Sequence, residues 1–144
     1  MPVPESLLEI RTYAGSGYMP LIAYGSWRVA VLRYADTLLP SSLDAMQRHD
    51  ETDEVFVLLA GRCILFLGEG TERVSAIHAQ DLALLKLYNV KKGCWHTHTL
   101  SPDATVLIVE NQDTSASNST RVALDSAQQE KIVRLASQLW PAPK

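Results

Sequence analysis

From Ile10 to about Asn111 the chain is a succession of short β-branched and aliphatic runs separated by turn residues, and no amphipathic stretch of about 10–15 residues interrupts it. A parallel sheet needs crossover helices between its strands, so this pattern excludes a parallel α/β fold and points to an all-β antiparallel sandwich or barrel. The expected strands are Trp27–Tyr34, Leu43–His49, Val55–Leu59, Cys63–Leu67, Val74–His78, Leu82–Tyr88, Trp95–Leu100 and Thr105–Glu110. Gly61-Arg62 and Gly68-Glu69-Gly70 read as tight hairpin turns. After Thr120 the period changes. Ser126 and Gln129 have capping-box spacing, and Ile132, Val133, Ala136, Leu139 and Trp140 recur at helical spacing up to Pro141. The expected layout is an N-terminal extension with an edge strand over 1–24, a β-barrel domain over 25–112, and a linker with one C-terminal α-helix over 113–144.

The 144 residues suffice for one domain with its own core, and a formal net charge of -3 leaves no excess of Lys or Arg for a phosphate backbone. Nucleic acid is therefore not an expected partner. Two cysteines, Cys63 and Cys94, are too few for a disulfide scaffold and lack the paired spacing of a structural zinc site, so the expected compartment is a reducing cytoplasm. No apolar run approaches the roughly 18 residues of a membrane helix, and no membrane partner is expected.

Chemistry concentrates in two places. In Gln47-Arg48-His49-Asp50-Glu51-Thr52-Asp53-Glu54, strand alternation puts Gln47 and His49 on one face and Met46 and Arg48 on the other. Glu54 opens the next run, where it meets His49 if the two strands are neighbours. In Gly93-Cys94-Trp95-His96-Thr97-His98, His96 and His98 share a face opposite Trp95 and Thr97. Two imidazoles and a carboxylate turned toward one lumen suit a divalent iron, manganese or zinc ion with open positions. The plainer alternatives are a half-exposed strand histidine at 49, a solvated acidic turn from Asp50 to Glu54, and a hydrogen-bonded, metal-free pocket around His96 and His98. Cys94 is in phase with His96 but reads more simply as a small buried residue, and His78 reads as surface.

The two clusters resemble the two motifs of the cupin superfamily. Gln47-x-His49-x4-Glu54-x6-Gly61 is similar to the first, and Lys91-x-Gly93-x2-His96 to the core of the second. Gln47 stands where that family has its first histidine, Ser41 where it has a glycine, Lys91 where it has a proline and Leu100 where it has an asparagine. The resemblance covers roughly Trp27 to Asn111. It implies a small single-domain jelly-roll barrel, often homodimeric, whose lumen holds a divalent metal (zinc, iron, manganese or nickel) through His49, Glu54 and His96, with Gln47 in the fourth ligand position. The segment from Tyr88 to Asn111 also resembles the ureidoglycolate-lyase-like cupins, which implies lyase or isomerase chemistry on a small polar metabolite, with Glu54 or His98 transferring protons. A metal-free cupin that binds a sugar or metabolite without catalysis is the alternative, and Gln47 is its main support; a purely structural dimer is a third. Dimerisation is also expected from the apolar segment Leu7–Tyr13, which lacks a strand neighbour in sequence and would pair by crossing to a second copy, in an interface that could also cover the stripe of Ile132, Ala136 and Leu139.

Overall fold

The computed structural model describes residues 1–144. Ten strands and one helix follow in the order β1 (Gly17–Tyr24), β2 (Trp27–Arg33), two 3-10 turns, β3 (Ala45–His49), β4 (Glu54–Ala60), β5 (Cys63–Glu69), β6 (Ala76–Asp81), β7 (Leu87–Val90), β8 (Trp95–Leu100), β9 (Thr105–Asn111), β10 (Ser119–Ala123) and α1 (Ser126–Leu139). They form two five-stranded antiparallel sheets, β1-β2-β9-β4-β7 and β10-β3-β8-β5-β6. This is the all-β antiparallel architecture with one C-terminal helix that the strand pattern implies, in the jelly-roll-like form that the resemblance implies. No helix is long and apolar enough to cross a membrane.

Two strands were not among the eight expected. β1 carries Pro20 and has an irregular register beside it, which an edge strand tolerates because one row of its backbone groups has no strand partner. β10 falls within the polar stretch and is too short and too hydroxylated to show an apolar period; it is held by its pairing with β3, Ser119 opposite His49. Residues 1–16 form no strand, and Leu7 and Ile10 are exposed.

The two apolar clusters lie on different faces. Alternate residues of β4 and β9, Phe56, Leu58, Val106 and Ile108, point between the sheets and meet Cys63, Leu65 and Leu100. The far side of the second sheet presents Met46, Ile64, Phe66 and Trp95, which α1 covers with Ile132 and Ala136. The helix stripe is thus used within the chain, and Ile132 and Ala136 are not available as an interface. Its cap is Asp125, one residue before the expected Ser126: the Asp125 carboxylate accepts from the Gln128 amide, and the Gln128 side chain accepts from the Asp125 N–H. Gln129 instead donates to the Leu124 carbonyl.

The Gly61-Arg62 turn is not a hairpin. β4 and β5 belong to different sheets, so this turn carries the chain across the sandwich, beside the similar crossing between β8 and β9. The two are tied by Ser101 N–H to the Arg62 carbonyl and Arg62 N–H to Ser101 Oγ. Gly61 has φ +71°, and a Cβ there would lie 2.5 Å from Ala104 Cα. Neither backbone can yield without opening a crossing. Gly61→Ala is therefore expected to destabilise the protein by at least about 2 kcal/mol, combining left-handed strain with the clash. Urea unfolding reads this directly; an unchanged midpoint would contradict the close approach.

Candidate metal centre and cavity

The first motif places its two halves in opposite sheets. His49 ends β3, the loop 50–53 crosses the sandwich, and Glu54 begins β4. The expected meeting of His49 and Glu54 on neighbouring strands is corrected: they meet face to face across the interior. The loop is pinned by Asp53, whose carboxylate accepts from Asn89 and from the Lys92 N–H, contacts that lower its pKa. His96 comes from β8, which pairs with β3 so that Gln47 lies opposite His96.

His49, Glu54 and His96 converge, with donor atoms all within 4.8 Å of one another. Glu54 Oε2 lies 3.1 Å from His49 Nε2 and 2.9 Å from His96 Nε2. All three residues are buried. His96 Nδ1 lies 3.0 Å from the Cys94 carbonyl, an acceptor only, so Nδ1 carries a proton, and in the tautomer with a single ring proton the Nε2 lone pair faces the carboxylate. His49 Nδ1 lies 2.7 Å from Ser119 Oγ, which orients its ring the same way. A lone pair against an anionic oxygen is repulsive unless a cation or proton lies between them. The close pair is also poorly aligned: Glu54 Oε2 and His96 Nε2 are buried atoms with no hydrogen-bond partner. The donor set therefore fits a metal ion bound by two Nε2 atoms and one carboxylate.

Burial works to raise the Glu54 pKa, but hydrogen bonds and attraction from His49 and His96 in their proton-bearing forms outweigh that and leave it lowered, to about 2, so the group is a carboxylate at neutral pH. Burial works to lower the pKa of His49, and the opposing pull of Glu54 and Glu110 leaves it raised. His98, desolvated beside Phe56, has its pKa lowered to about 4 and is a neutral imidazole at pH 7.

The group lies in a cavity of about 600 Å³ open at one end of the sandwich. Gln47 and His98 also line it, and His98 Nδ1 is buried without a partner. His78 is exposed against Glu69, as expected of a surface residue. Burial raises the Cys94 thiol, which disfavours a thiolate nucleophile.

Among the cavity residues that sequence reasoning missed are Tyr18, Arg28, Glu110 and Ser119. Glu110 continues the inward series Val106, Ile108, and Arg28 that of Ala30, Leu32, but both strands are apolar on both faces, so the sequence did not mark that phase. They are paired directly across β2 and β9. Ser119 gave no signal, because a serine in a polar stretch marks nothing until β10 is known. Ser119→Ala is expected to weaken divalent metal binding by about 10–100-fold, as for partners that orient a ligating imidazole, with little loss of stability. Calorimetric titration with zinc or manganese checks this, and unchanged affinity would show that the hydroxyl does not orient His49.

No protein-family model matches the sequence, and neither does any curated protein. Solved structures do match. Pac13, described as a unique nucleoside dehydratase, superposes with a TM-score of 0.54 at 8% identity over 79% of this chain and 85% of its own. A singly substituted Streptomyces Pac13 with uridine matches with a TM-score of 0.55 at 8% identity over 83% of this chain and 87% of that one. A cupin-2 domain protein from Shewanella frigidimarina covers 75% of this chain and 88% of its own at 14% identity and a TM-score of 0.47. At these identities the likeness concerns the fold alone: this chain has a cupin-like double-sheeted β fold.

Proposed function

We propose that the protein is a metal-dependent cupin that performs lyase- or isomerase-type chemistry on a small polar metabolite. The observation that carries this reading is the contact of Glu54 Oε2 with two imidazole Nε2 atoms, one of them with its tautomer set by a backbone carbonyl. His49, Glu54 and His96 would hold the ion, with Gln47 beside His96 supplying an amide oxygen. A bound divalent ion polarises a substrate oxygen as a Lewis acid. The chain's own groups do the rest: the cavity walls exclude water, and His98, neutral and with a free Nδ1, accepts a proton from the substrate. Glu54 is given the ligand role and, on substrate binding, a share in proton transfer. The nucleoside dehydratase activity of Pac13 supports a lyase-type reaction in a barrel of this shape. The alternative, a metal-free cupin that binds a sugar or metabolite without transforming it, is favoured by Gln47, which offers a neutral oxygen where an imidazole would bind more strongly. Elemental analysis of protein purified without a histidine tag separates the two. Near-stoichiometric zinc, iron, manganese or nickel is expected; protein that stays metal-free after incubation with each ion would overturn the metal reading.

We also propose that two copies pair through the first sheet. Its outer face is apolar across all five strands: Leu87, Val57, Leu107, Val31 and Met19 form one cross-strand row, and Val55, Val109, Val29 and Ile22 continue a second. A face about 24 Å wide and about 23 Å long follows from strand spacing and rise. Stacking two such faces removes on the order of 1,000 Å² from water, the lower bound for a stable interface. The full-length chain is expected to sediment at twice 15.9 kDa, and the double variant Val57→Glu, Leu107→Glu as a monomer. A monomeric wild type at micromolar concentration would end the proposal.

A further inference from the structure

Next to the imidazole–carboxylate group, but outside it, the cavity contains a second polar centre. Glu110 is 5% exposed. Its Oε1 is saturated: Tyr18 donates to it at 2.5 Å, Arg28 Nη2 at 2.8 Å and Arg28 Nε at 3.2 Å. Its Oε2 is buried and has no hydrogen-bond partner; His49 Nε2 is 3.8 Å away, beyond hydrogen-bond reach. An unmatched buried carboxylate oxygen is costly, and here it faces a cavity wide enough for a metabolite.

The cations around it are already used. Besides Glu110, Arg28 donates through Nη1 to the Gln112 carbonyl and through Nη2 to the Thr114 carbonyl, so its guanidinium has no fork free for an incoming carboxylate or phosphate. The other arginine of the cavity, Arg121, is at the exposed mouth, 3.5 Å from Asp44. Hydroxyl residues also line the wall: Thr37 and Thr97, and Ser115, Ser119 and Thr120, whose hydroxyls already bond Ser117, His49 and Asp50.

We propose that Glu110, fixed by Tyr18 and Arg28, is the anchoring residue for a neutral, hydroxyl-bearing ligand of the sugar or nucleoside class, whose O–H donates to Glu110 Oε2. This deepens the function proposed above by naming the ligand class. It rests on that reading for the chemistry only, since the anchoring atoms lie outside the proposed metal ligands. Discrimination follows from charge: an anionic ligand brings another negative oxygen toward Glu110 and finds no free buried cation, whereas a hydroxyl satisfies the orphan oxygen.

The test uses matched pairs, D-xylose with D-xylonate and uridine with uridine 5′-monophosphate. Binding is followed by the Arg28 Nε–H resonance in nitrogen-15 NMR spectra of the protein as isolated and again after chelation of metal. At least one neutral member is expected to shift that resonance saturably in both states. After chelation, where no metal can attract the anion, its anionic partner is expected to bind at least about ten-fold more weakly. Glu110→Gln, which replaces the free acceptor with an amide, is expected to lose the neutral ligand, and Tyr18→Phe, which keeps the carboxylate, to retain it with reduced affinity. Tighter binding of the anionic member after chelation, no saturable shift with any neutral member, or undiminished binding in a folded Glu110→Gln would each overturn the proposal. The wild-type comparison decides even if Glu110→Gln does not fold. Loss of metal binding with neutral-ligand binding intact would strike the metal reading and leave this one standing.

Discussion

Replacing His96 by alanine is expected to reduce divalent metal affinity by more than about 100-fold, beyond the range for removing a partner that merely supports a ligand. The ring is 1% exposed, its tautomer is set by the Cys94 carbonyl, and its Nε2 meets Glu54 Oε2 at 2.9 Å. Its loss leaves one imidazole and one carboxylate, too few donors to displace the ion's water shell. His78→Ala is the control, because that imidazole is exposed and contacts only Glu69. The fold is expected to survive both changes, since neither side chain belongs to an apolar cluster. Calorimetric titration of both variants with zinc checks this, and equal affinities would remove His96 from the ligand set.

The largest effect on stability is expected at Arg28. Arg28→Met keeps the aliphatic stem but removes the guanidinium that donates twice to Glu110 and once each to two carbonyls. The Glu110 side chain, 3% exposed, is then an anion without its cation. Breaking such a pair from one side costs about 3–5 kcal/mol. For a chain of this size that lowers Tm by about 10 °C or more. The double variant Arg28→Met, Glu110→Gln is expected to regain most of the loss, because the uncompensated charge is gone. A single variant that melts within a degree or two of wild type would show the pair to be solvated.

Architecture was legible in this sequence as short β-branched and aliphatic runs between turns. β4 and β9 were identified in this way, but both are apolar on both faces, so the alternation of burial along β9 and most of β4 emerged only in the structure. What could not be read was which strands face one another. Glu54 follows His49 by five positions and looked like a hairpin partner, yet the loop between them crosses from one sheet to the other. The Gly61-Arg62 turn misled for the same reason: a left-handed glycine permits a crossing as readily as a hairpin. Ser119, whose strand has no apolar period, had to wait for the fold. So did Glu110 and Arg28, which lie on strands that are apolar on both faces and became recognisable only once paired across β2 and β9.

The metal centre is tested most directly by crystallography of protein loaded with zinc or manganese, with anomalous data collected at the metal edge. The account predicts one ion in the lumen, bound by Nε2 of His49, Nε2 of His96 and the Glu54 carboxylate at roughly 2.0–2.2 Å, with at least one position open toward the cavity. An ion at full occupancy elsewhere, or a loaded crystal with no anomalous peak between these three residues, would contradict it.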